Sequence, residues 1–176
     1  MIKKSLLTAL SVAALTMICW GCGDEPAGKD VARVDVNYSI EISADLVNVL
    51  NMQIQYVGDN GVQKTVSDVT TKFSESAEFT KFPAEFGMKL RVLSVNESAL
   101  TKDSYTLRLT YTVSAVSYDN EGEIVQNCPL VAGETFSTTV GSDKIVSVLE
   151  ADVEKGEYFV TSTDIDKKGK IIVSAY

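Results

Sequence analysis

The chain has 176 residues, 16 basic against 24 acidic, no histidine, and 45% hydrophobic content. That is ordinary globular composition for a single domain. A net charge of −8 repels phosphate backbones and argues against nucleic acid as a partner. The missing histidines remove the commonest general base and the commonest metal ligand.

The chain opens with Lys3 and Lys4, followed by an uncharged apolar stretch from Ser5 to Ile18. A charged start, a short apolar core and small residues after it describe a secretory signal over residues 1–21. The apolar core is shorter than the roughly 20 residues a membrane-spanning helix needs. Gly21-Cys22-Gly23-Asp24-Glu25 comes next. A small residue before a cysteine resembles the lipobox of bacterial lipoproteins, although Cys19 and Trp20 depart from its usual residues. The acidic pair Asp24-Glu25 resembles the export signal of Bacteroidota-type surface lipoproteins.

This resemblance covers about 26 residues and implies that Cys22 is lipidated and becomes the first residue of the mature chain. It also implies an outer-membrane, cell-surface location, with the membrane as a partner through the lipid. Stable anchoring needs more than one acyl chain, which a lipoprotein cysteine supplies. The rival is a plain secreted protein cut near Gly21 or Gly23. Cleavage before Cys22 leaves 155 residues with 14 basic and 24 acidic side chains. With Cys19 removed and the sulfur of Cys22 alkylated, Cys128 is expected as a buried or incidental thiol, and no internal disulfide is expected in the mature chain. Residues 22–30 read as a lipidated tether, small and charged, whose last eight residues span about 15 Å. Residues 31–176 read as one domain.

The domain has a period of two. Val34, Val36, Tyr38, Ile40 and Ile42 alternate with polar residues, which predicts a strand with one buried face. Met52, Ile54 and Tyr56 repeat the pattern. Gly58-Asp59-Asn60-Gly61 predicts a tight turn, with Val62 to Val69 returning as the partner strand. Phe73 to Phe82 and Phe86 to Val95 are expected to pair around Pro83, which cannot donate to a ladder. The apolar phase slips between Leu90 and Val95, predicting a bulge. Tyr105 to Val113 alternate again and run on to Tyr118. Asp119-Asn120-Glu121-Gly122 turns into Glu123 to Gln126, and Phe136 to Val140 suggest a separate short strand. Tyr158 to Ile165 and Ile171 to Tyr176 form a last hairpin around Asp166-Lys167-Lys168-Gly169.

Residues 142–155 read as a helix: Ser142 to cap, Ile145, Val148, Leu149 and Val153 on one face, Gly156 to stop. Their β-branched content argues for a strand instead. The fold expected is mainly β, an immunoglobulin-like antiparallel β-sandwich of nine or ten strands, with a small barrel as the alternative.

No residue set announces chemistry. Asp119 to Glu123 lacks the spacing of a calcium loop and reads as a hairpin turn. Asp164 and Asp166 beside Lys167 to Lys170 read the same way. Cys128 has no histidine to pair with. The acidic residues form no distinctive motif for a hydrolase built on two carboxylates. Lys89 and Arg91 fall on a strand's polar face. Tyr38, Tyr56, Tyr105 and Tyr111 fall in the core register, although an exposed aromatic platform for sugars would use the same residues. The reading is therefore not an enzyme and has no cofactor and no metal. It is a non-catalytic binding module for a glycan or a protein, with a structural or accessory subunit of an envelope assembly, facing the periplasm, as the alternative.

Overall fold

The computed structural model describes residues 30–172. Nine strands form two antiparallel sheets packed as a β-sandwich: β1 (Arg33–Ile42), β2 (Leu50–Val57), β3 (Gln63–Val66), β4 (Lys72–Phe79), β5 (Ala84–Val95), β6 (Ser104–Tyr118), β7 (Ile124–Gly141), β8 (Glu157–Ile165) and β9 (Ile171–Ile172). The four-stranded sheet runs β4-β1-β6-β7 and the five-stranded sheet β3-β2-β5-β8-β9. Two helices join the sheets, α1 (Ala44–Val49) from β1 to β2 and α2 (Ser142–Lys155) from β7 to β8.

Alternation builds the core. Val34, Val36, Tyr38, Ile40 and Ile42 of β1 are all buried, as are Met52, Ile54 and Tyr56 of β2 and Phe86, Met88 and Leu90 of β5. Their neighbours in sequence therefore point outward. Burying aromatic and aliphatic side chains from both inner faces is the main stabilising term. Tyr111 of β6 stacks on Phe159 of β8 with centroids 4.0 Å apart, joining the two layers. The Tyr38 hydroxyl crosses the core from β1 and donates to the Val57 carbonyl of β2 at 2.9 Å.

Several expectations hold. The hairpins β2–β3, β6–β7 and β8–β9 form around the three glycine-containing turns. The bulge in β5 is present at Leu93, where Asn51 and Met52 face Ser94 and Val92, and β8 has one of its own at Tyr158 opposite Leu90/Arg91. Pro83 lies in a connection, behind a cis peptide bond. Residues 142–155 are helical, burying Ile145 and Leu149 one turn apart, with Gly156 left-handed at the C-terminal cap.

Three expectations are corrected. Strands β4 and β5 do not pair; β4 adds to β1 while β5 lies between β2 and β8. The segment around Pro83 is a crossover between sheets, because hydrophobic alternation fixes which face is buried but not which strand lies alongside. Phe136 to Val140 are not a separate strand, since β7 continues through them from Ile124. The cap of α2 is Gly141 rather than Ser142, with no side-chain capping bond. Helix α1 was not foreseen. Ser43 caps it, accepting from Leu46 N, and also accepts from Arg108 N and donates to Thr106 O on β6.

The sheets are laced at their edges by side chains. Asp59 and Asn60, from the turn after β2, accept the backbone N–H groups of Glu78 and Thr80 at 2.9 Å each. The Gln126 amide brackets Ile171, donating to its carbonyl and accepting from its N–H. These contacts occupy edge groups that would otherwise be open to another strand.

Candidate functional site

The lipid-attachment cysteine Cys22 and the acidic pair Asp24 and Glu25 lie outside the described residues. The described chain enters at one end of the sandwich. Ala32 N donates to Tyr118 O, and Val31 packs over Gly169. The turns after β2, β6 and β8 gather at that same end.

Two of those turns share one geometry. In each, an aspartate N–H donates to the backbone carbonyl four residues on, and the glycine N–H returns to the aspartate carbonyl. The aspartate Oδ1 then accepts two further N–H groups, from Glu121 and Glu123 at Asp119, and from Lys168 and Lys170 at Asp166. An oxygen filled by the turn's own backbone is committed to the turn, which agrees with the hairpin reading of both segments. Among the described residues no group of three histidine, cysteine, aspartate or glutamate side chains could hold a metal ion.

Tyr38, Tyr56 and Tyr105 are buried, as their register implies, and Tyr111 is half-buried. Burial pushes the Tyr111 hydroxyl well above the usual range, and its bond to Glu134 adds to the shift. These rings pack the core and do not form a sugar platform. Cys128 is fully buried and disulfide-bonded. The sequence reading left it a thiol, so the full chain departs from expectation here.

Sequence reasoning missed Asp152. It is completely buried at the end of α2, where Tyr158 donates to its Oδ2 at 2.9 Å. Its Oδ1 has no hydrogen-bond partner among the described residues. Desolvation raises its pKa from 3.8 to about 6, with the Tyr158 bond and the Lys155 charge opposing. It lies one turn past Leu149 on an otherwise apolar face, where a pattern scan marks only the apolar members.

The outer face of the five-stranded sheet is the surface best equipped to bind. Asn51, Gln53 and Gln55 alternate along β2 on that face, level with Ser94, Arg91 and Lys89 of β5. Their carboxamides are tied in a row: Gln55 Nε2 donates to Gln53 Oε1 at 2.9 Å, and Asn51 Nδ2 to Ser94 Oγ at 2.8 Å. Beyond Gln55 the sheet opens. The β2–β5 ladder ends at Tyr56 opposite Met88. On the other side of Met88, β8 stays in register, and the Thr161 hydroxyl accepts from Met88 N and donates to Met88 O at 3.1 Å each. Gly87 sits just past the end of the β2–β5 ladder, opposite Ser162 of β8, and a Cβ there would strike the Thr161 carbonyl oxygen. The result is a hollow of about 170 Å³ over Gly87, with Gln55, Gln63, Glu85, Lys89, Val160 and Ser162 around it. No signal in the sequence marks it beyond one glycine inside a strand pattern.

No protein-family model matches the chain, and no match is found among curated proteins.

Proposed function

We propose that the protein is a membrane-anchored cell-surface lipoprotein whose β-sandwich is a non-catalytic binding module for a glycan or a protein. The observation that carries the binding role is the ordered carboxamide row and hollow on the outer face of the five-stranded sheet. Fixed polar groups beside a concavity suit recognition, because their ordering cost is met in folding and not on binding. The Gly21-Cys22 pair and Asp24-Glu25 support the anchor. A chain entering at the turn end, on a tether of about 15 Å, would hold that end toward the membrane and leave the sheet faces to the side. The same short tether suits the second reading, a structural or accessory subunit of an envelope assembly.

Fractionation and protease shaving of intact cells test the anchor, with wild type compared against Cys22→Ala. The expected result is a membrane-bound, externally cleaved wild type and a variant lost from the membrane fraction. Membrane-bound but protected protein would favour a periplasmic subunit. A wild type found only in the soluble fraction would exclude the lipid anchor. Intact mass of the extracted protein adds the direct check, since acyl chains on Cys22 leave its sulfur unable to form a disulfide.

A further inference from the structure

We infer that the hollow over Gly87 is a saccharide subsite, seating one sugar ring of a glycan chain that continues along the Gln55, Gln53 and Asn51 row. This rests on the binding-module reading and names its ligand class.

The end of one ladder and an interior glycine meet at this place. The β2–β5 ladder stops at Tyr56, and the next carbonyl, of Val57, is taken from below by the Tyr38 hydroxyl. On the other side β8 stays in register with Gly87 and Met88, and the Thr161 hydroxyl bonds the Met88 N–H and C=O. Local ladder disruption beside an interior glycine is how a sheet makes room for something to approach its backbone. The Thr161 carbonyl oxygen, directly over Gly87, forms part of the floor.

Size and chemistry select the occupant. A volume of about 170 Å³ is well below the roughly 300–1,000 Å³ of sites for drug-sized ligands, so it fits one ring. A sugar hydroxyl both donates and accepts. The lining answers with carboxamides that do both (Gln55, Gln63), a carboxylate that only accepts (Glu85) and an ammonium that only donates (Lys89). Ser162 donates to Glu85 and fixes one edge. Val160, directly opposite Lys89 and 58% exposed, offers an apolar surface to the C–H face of a ring. A compact anion would meet Glu85, a compact cation would meet Lys89, and a peptide strand seeks a sheet edge instead of a sheet face. From residue 51 to 57 the strand extends roughly 20 Å, enough for several sugar residues in line.

The test uses the detergent-extracted protein against immobilised neutral polysaccharides: dextran, xylan, mannan and galactan. Variants Ser162→Trp, which fills the hollow, and Gln55→Ala, which removes a carboxamide, are compared with Ser74→Trp on the opposite sheet. The expected result is binding to at least one polysaccharide, weakened ten-fold or more in both hollow variants, unchanged in Ser74→Trp, with melting temperatures preserved. Folded wild type that binds none of the four overturns the saccharide subsite. Binding that both hollow variants leave intact also overturns it, while leaving the binding-module reading standing. The anchor is read separately from membrane fractionation, so its failure would not be confused with either result.

Discussion

The two sheets differ in where their ladders are irregular. On the four-stranded side, β1 pairs with β6 over ten consecutive positions without a shift, and the three register shifts fall between β6 and β7. Its outer face is a flat field of short polar side chains, with Ser39 between Ser74 and Thr112 and Asn37 between Ser76 and Ser114. On the five-stranded side, there is a register shift between β5 and each neighbour, and the Thr161 hydroxyl bonds the Met88 backbone. Both sheets bury an equally alternating inner face. The difference teaches that irregular pairing alone does not make a concavity; the hollow also needs Gly87, where no side chain fills the outer face.

The largest contrast is expected at matched outward positions. Gly87→Ala forces a methyl into the Thr161 carbonyl and should destabilise by about 3 kcal/mol or more. Asn37→Ala, on the regular face, should stay within about 0.5 kcal/mol. Urea unfolding of both reads the difference, and equal effects would remove the claim of close approach at Gly87.

A smaller contrast concerns hydroxyls. Thr161→Val removes the two hydroxyl bonds to the Met88 backbone and should cost about 1–3 kcal/mol. Thr106→Val, exposed on β6 with its hydroxyl uninvolved, should be neutral within about 0.5 kcal/mol. Hydrogen exchange at the Met88 amide should accelerate only in the first.

Asp152 sharpens the comparison by pH, since it lies where α2 meets the five-stranded sheet. Its folded pKa, about 6, exceeds the ordinary 3.8, so the native state binds the proton more tightly than the unfolded state. The associated stability is complete below pH 3.8 and is lost as pH rises through about 6. Asp152→Asn cannot ionise. Its melting temperature should stay flat across that window while wild type falls, leaving the variant the more stable at pH 8. A parallel pH dependence in both proteins would show that Asp152 does not titrate in the fold.

The smallest effect is expected on the four-stranded side. Ser43→Ala removes the cap of α1 and its bonds to β6, and should cost about 1 kcal/mol. Thermal unfolding at neutral pH suffices to measure it.

Much of the architecture was legible in the chain. Alternation at Val34 to Ile42 located β1 and its buried face, because side chains on a strand point to opposite sides in turn. The glycine turns located three hairpins, because each needs a residue tolerant of positive φ; Gly61, Gly122 and Gly169 all have it. The spacing of Ile145 and Leu149 located α2 despite its β-branched residues, since burial of one face outweighs weak local preference. Local periodicity therefore determined the strands, the turns and the inward side chains. Only tertiary structure decided the partners. Whether β4 lies beside β1 or β5 depends on side-chain fit between segments distant in sequence. The hollow, too, depends on Thr161 lying beside Met88, 73 residues away. Asp152 belongs to the same class, since its burial follows from what packs over α2. Pairing and concavity are properties of long-range contacts, and a period of two carries no record of which strands will meet.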